Sequence, residues 1–123
     1  MTVDVLTVSV TARESEGRPY TLVTVTGEAD VTNRDELKRV LDDEVTRQPT
    51  TLILDLSGLM FLDSSALHVV LQVNRALDRQ GAMLALVAPT EAVARILHLT
   101  TADRLIPVYK TVAEAAAGGL YCR

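Results

Sequence analysis

Apolar and polar residues alternate from Val3 to Thr11, with Val3, Val5, Val8 and Val10 near a period of two, which predicts a strand. The charged stretch Arg13 to Pro19, with Gly17 inside it, predicts a hairpin loop. Thr21 to Thr26 is rich in β-branched residues and stops at Gly27, predicting a second strand. Thr32 as N-cap, with Asp35 at the capping-box position, opens a predicted helix. Leu37, Val40, Leu41 and Val45 recur on it at helical spacing, and Pro49 marks its exit. Thr51 to Leu56 is a nearly continuous apolar run, suited to a central strand covered on both faces. A turn at Ser57–Gly58 and the segment Leu59 to Leu62 then lead to Asp63. A second helix is expected from about Ser64 to Arg79, closed by Gly81, followed by a strand at Met83 to Val87. Pro89–Thr90 opens a third helix carrying Val93, Ile96 and Leu97. Leu105 to Tyr109, interrupted by Pro107, suits an edge strand. Thr111 with Glu114 starts a short Ala-rich helix ending at Gly118–Gly119. The predicted order is ββαβαβαβα. This is an α/β fold, a mixed β-sheet with parallel pairs and helices packed on it.

Composition narrows the function classes. At 123 residues the chain fits one domain spanning 1–123. Three Tyr, one Phe and no Trp leave an aliphatic core to be expected. Twelve basic against sixteen acidic residues give a net charge of −4, with no basic cluster, so no direct nucleic-acid partner is expected. No apolar stretch approaches the ~20 residues of a membrane helix, so no membrane partner is expected. With no secretory signal and Cys122 as the single cysteine, a cytoplasmic location is the expectation.

Catalytic signatures are missing. There is no GxxxxGK[ST] or GxGxxG loop to hold a nucleotide, and the chain is expected to carry no cofactor of its own. His68 and His98 are too far apart in sequence for a local metal pair, so no metal site is expected. A triad of Ser64, His68 and Asp63 is not supported, because Ser64 and His68 would sit on successive turns of one helix with no orienting geometry implied. Glu28 and Asp30, at i and i+2, read as two solvated loop acids rather than an acid–base pair. No catalytic residue is assigned.

The polar triplet Asp63-Ser64-Ser65, set between two apolar stretches at a strand-to-helix junction, carries the most information. One cap needs one residue, and three are present. At about 100° per residue, His68, Gln72, Arg75 and Arg79 fall on the side of Ser64, while Ala66, Val69, Val70, Val73, Ala76 and Leu77 form the opposite, core-facing stripe. Ser64 therefore heads the polar stripe and should be accessible, whereas Ser65 should be a local structural hydroxyl. Leu67 and Leu71 fall at the edge of the polar face, as a small apolar contact patch beside an exposed serine. A phosphate on Ser64 would add about −1.5 to −2 charges. A helix N-terminus tolerates that charge, so the cost would fall on a partner rather than on the fold.

These residues resemble the STAS-domain anti-sigma factor antagonists of bacteria. Gly27-Glu28-Ala29-Asp30 resembles the family's GELD, and Asp55-Leu56-Ser57-Gly58-Leu59-Met60-Phe61-Leu62-Asp63-Ser64-Ser65-Ala66-Leu67 resembles its longer DLSGVxFxDSSGL signature. Ala29, Ala66 and His68 depart from the usual residues. The resemblance implies a STAS-like domain that binds an anti-sigma factor and frees a sigma factor for transcription. It implies that the anti-sigma factor is also a serine kinase acting on Ser64, that a separate phosphatase reverses the modification, and that the ATP belongs to the kinase. The expected partner-binding residues are Glu28, Asp30, Asp63, Ser64, Ser65, Leu67, His68 and Leu71. The alternative is a STAS scaffold or transporter-accessory module that is never phosphorylated.

Overall fold

In the computed structural model, the backbone is described for residues 6–121 and side chains for residues 6–118. The elements run β1 (Thr7–Ser15), β2 (Arg18–Ala29), α1 (Arg34–Thr46), β3 (Thr51–Leu62), α2 (Ser64–Arg79), β4 (Met83–Val87), α3 (Glu91–Leu99), α4 (Ala102–Leu105), β5 (Val108–Tyr109) and α5 (Val112–Tyr121). The five strands lie in sequence order in one sheet; β1 pairs antiparallel with β2, and every later pair is parallel. The expected α/β order is met, with the one-turn helix α4 added between α3 and β5. None of the helices among the described residues is long and apolar enough to cross a membrane.

The two-sided apolar run of β3 is explained by what covers it. Leu52 and Leu54 join Val23, Val25, Leu37, Leu41, Val70 and Leu97 in the larger core, beneath α1, α2 and α3. Ile53, on the other face, packs with Leu22, Ala85, Val87 and Ala115 beneath α5. The core is aliphatic, as the composition implied; Tyr20 and Tyr109 only border the smaller cluster.

Several boundaries differ from expectation. Val3 and Val5 lie outside the described residues. The hairpin is tighter than the charged loop suggested: β1 runs to Ser15, which pairs with Arg18, and only Glu16 and Gly17 turn, at φ 52° and 80°. Two positive φ values suit a twisted two-residue hairpin. Charge did not interrupt β1 because it is an edge strand whose residues are mostly exposed. The cap of α1 falls on Asn33, not Thr32, and makes no side-chain cap bond; its side-chain Nδ2 instead donates to the Glu28 carbonyl (2.8 Å) and its Oδ1 accepts from the Asp30 backbone amide (2.9 Å). Leu105 belongs to α4, leaving β5 only Val108 and Tyr109. The Gly118–Gly119 pair does not end α5, which continues to Tyr121; a Cβ on Gly118 would come within 2.5 Å of the Tyr109 hydroxyl, so close packing accounts for that glycine.

Ser57–Gly58 is not a turn, because β3 is one strand through to Leu62. Thr24 pairs with Asp55 but Thr26 pairs with Gly58, and Gly27 pairs with Leu59 but Glu28 with Phe61. Each step inserts one extra residue into β3, which is a bulge. The Asp55 carboxylate supports the first by accepting the Ser57 amide at 3.0 Å. Gly58 is needed because β2 approaches closely: a Cβ there would lie 2.6 Å from Thr26 Cγ2, on a stiff β-branched side chain. Gly58→Ala is expected to cost about 1–3 kcal/mol of stability, read as a lower denaturant midpoint at unchanged slope.

Candidate functional site

The site lies beyond the carboxyl ends of the parallel strands β2 and β3, where open α/β sheets generally place their ligands. There the two strands hand over to α1 and α2, and Asp63 joins the two junctions. Its amide donates to the Ala29 carbonyl (3.0 Å), tying the end of β3 to the end of β2. Its Oδ1 accepts the Ala66 amide (2.9 Å) as N-cap of α2 and the Ser65 hydroxyl (2.7 Å), while Oδ2 accepts the Val31 amide (3.0 Å) from the β2–α1 loop. Partial burial pushes the Asp63 carboxyl up, but bonds from the Ser65 hydroxyl and from the Ala66, Val31 and Ser65 amides outweigh it. They hold the carboxyl below the usual carboxylate range.

Asp30 braces the facing loop. Its Oδ1 accepts the Thr32 amide (2.9 Å) and hydroxyl, and its carbonyl accepts the Arg34 amide (2.8 Å) at the start of α1. Glu28 and Asp30 are both half-buried, on either side of the fully buried Ala29. These bonds make Asp30 a loop-forming residue as well as an acid near α2.

The serines divide as helical phase indicated. Ser64 is exposed, and Ser65 is half-buried with its hydroxyl committed to Asp63. His68 is exposed one turn further along, on the face of Ser64. Leu71 is half-buried. Leu67 is a correction: it is only 4% exposed and cannot be a surface contact. The buried stripe of α2 is wider than one sheet-facing row because α1 flanks it. Leu67 accordingly lines the same internal void as Leu37, Leu62 and Leu97.

The apolar surface beside Ser64 comes from elsewhere. Met60 is 62% exposed, Val31 61% and Phe61 42%. Met60 and Phe61 end β3 just before Asp63, and Val31 is the residue bonded to its carboxylate. Consecutive strand residues ordinarily face opposite ways, with one covered. Here β4 pairs only with Thr51–Asp55, so no strand covers that side of Met60 and Phe61, and the second bulge falls between Leu59 and Phe61. The DLSG segment was the available signal, since a bulge-forming run upsets the alternation of the apolar residues after it.

A cleft of about 220 Å³ lies between α1 and α2, lined by Arg34, Asp35, Lys38, Ser65, His68, Val69 and Gln72. Arg34 and Lys38 had drawn no attention in the sequence, because on α1 alone they read as an ordinary solvated face.

The STAS domain family model matches residues 9–115. The chain belongs to the STAS domain family. This STAS domain is 35% identical over 78 residues to a candidate anti-sigma factor antagonist of Thermotoga maritima, covering 63% of this chain and 69% of that protein. It is 24% identical over 110 residues to the anti-sigma-F factor antagonist RsfB of Mycobacterium tuberculosis, covering 89% of each. Among solved structures, an anti-sigma factor antagonist from Mycobacterium paratuberculosis superposes with a TM-score of 0.79 at 26% identity, over 93% of this chain and 95% of that one.

Proposed function

We propose that this STAS domain is an anti-sigma factor antagonist. It binds an anti-sigma factor that is also a serine kinase, so releasing a sigma factor for transcription, and phosphorylation of Ser64 turns the binding off. The domain acts in the cytoplasm by binding rather than by catalysis, and a separate serine phosphatase restores it. The carrying observation is the division of labour at the α2 N-terminus: Asp63 and Ser65 complete the cap between them, and the Ser64 hydroxyl stands exposed and unneeded for it. A phosphate on Ser64 therefore leaves the cap bonds standing, and its charge, beside Asp63 and Asp30, falls on the docking surface. The exposed Val31, Met60 and Phe61 supply the apolar contact.

The test begins with purification from the host, intact-mass measurement and identification of bound proteins. A kinase-like anti-sigma factor and a phosphate mapped to Ser64 are expected. With that partner, Ser64→Ala should bind within about threefold of wild type and resist phosphorylation, while Ser64→Asp should bind at least tenfold more weakly, a loss of about 1.4 kcal/mol or more. Undiminished binding by Ser64→Asp removes the switch, and co-purification of a transporter subunit with unmodified Ser64 replaces the whole reading.

A further inference from the structure

The cleft between α1 and α2 concentrates cations on an otherwise acidic chain. Arg34 and Lys38 enter it from α1 and His68 from α2, with Asp35 the one acidic side chain in its lining. Arg34 meets Asp35 only at 3.7 Å, and Lys38 holds Asp42 at 2.6 Å; both are exposed pairs that exchange partners at little cost. His68 stands at i+4 from Ser64, and helical side chains lean toward the N-terminus, so its imidazole inclines over the turn that Ser64 begins. Ser65, the neighbour of Ser64, is itself part of the lining.

We propose that this cleft is an internal phosphate receptor: a phosphate carried by Ser64 is held by His68, with Arg34 and Lys38 completing its cationic surroundings. The inference rests on the reading of Ser64 as the modified residue. It adds that the phosphorylated state is closed by the chain itself, so a partner must displace a held phosphate rather than merely approach a free one.

Charge around the site comes from several elements. Arg34, Lys38 and Asp35 of α1 and His68 of α2 line the cleft, while Asp63 at the cap and Asp30 in the loop tied to it stand at the α2 N-terminus. The three aspartates oppose the phosphate at every pH of interest, and Arg34 and Lys38 favour it throughout. His68 adds a ring N–H donor beside them.

The test uses the full chain with phosphoserine installed at position 64 by genetic encoding, which requires neither kinase nor partner. Phosphorus NMR then follows the second ionisation of the phosphate in wild type, His68→Gln and Arg34→Ala/Lys38→Ala. The midpoint in wild type is expected about half to one unit below the ordinary value near 6, and both variants should return it toward that value. Nitrogen-detected titration of His68 should show a midpoint higher with phosphoserine than with serine at 64. A phosphate midpoint that is the same in all three proteins overturns the proposal. That result would leave the Ser64 switch untouched, since the switch is decided by partner binding and by the phosphate found in the host.

Discussion

Asp63→Ala is expected to destabilise the domain by about 3 kcal/mol, more than any other single change at the surface of the site. An N-cap is worth about 1 kcal/mol, and hydrogen bonds to a charged acceptor about 1.5–3 kcal/mol each when lost without replacement. Asp63 combines a cap bond to Ala66 with bonds to the Ser65 hydroxyl and the Val31 amide. Water replaces part of each at this half-exposed position, which brings the sum down to the expected figure. Denaturant unfolding at pH 7 measures it. The same variant frees the loop at Val31 from α2, so hydrogen exchange of the Val31 amide should quicken more than the global loss of stability explains.

The sign of the acid dependence follows from the same bonds. A carboxyl whose folded-state ionisation lies below its unfolded value contributes stability above the unfolded value, near pH 4, and loses it as pH falls through the folded one. Wild type should therefore lose stability below pH 4 more steeply than Asp63→Asn, which retains an acceptor but has no charge to titrate. Parallel acid branches for the two proteins would show that other carboxylates govern that limb.

Periodicity made the elements legible wherever burial repeats regularly. The strands β3 and β4 and the helices α1, α2 and α3 bury rows of aliphatic residues, and their order was readable from those rows. The edges were not legible, for a physical reason. β1 is exposed along most of its length, so no apolar alternation is required of it, and its last residues read as loop. Within the site, helical phase separated Ser64 from Ser65, because one helix fixes their relation. Phase alone failed at Leu67, whose burial depends on α1 beside α2 and on the void it shares with Leu37, Leu62 and Leu97 rather than on α2 itself. The cleft was hidden for the same reason: Arg34 and His68 are 34 residues apart in sequence and meet only because α1 packs on α2.

The correction at Leu67 moves the apolar contact to the end of β3, with a large expected effect on binding. The double variant Met60→Ser/Phe61→Ser should weaken binding to the co-purified anti-sigma factor at least tenfold while costing the free domain about 1–2 kcal/mol of stability. Fully burying a side chain of this size contributes about 1.5–3 kcal/mol, so covering the exposed 62% of Met60 and 42% of Phe61 contributes about 1.6–3 kcal/mol together, more than the roughly 1.4 kcal/mol of a tenfold change. Stability falls only in part because Met60 is 62% and Phe61 42% exposed in the free domain. Leu67→Ala provides the contrast. It removes a side chain packed inside the larger core, so it should cost about 2–5 kcal/mol of stability and weaken binding only as far as it unfolds the chain. Calorimetric titration beside denaturant unfolding separates the two outcomes. Wild-type affinity in the Met60/Phe61 variant would move the contact to the other side of Ser64, where Leu71 is the remaining half-exposed leucine of α2.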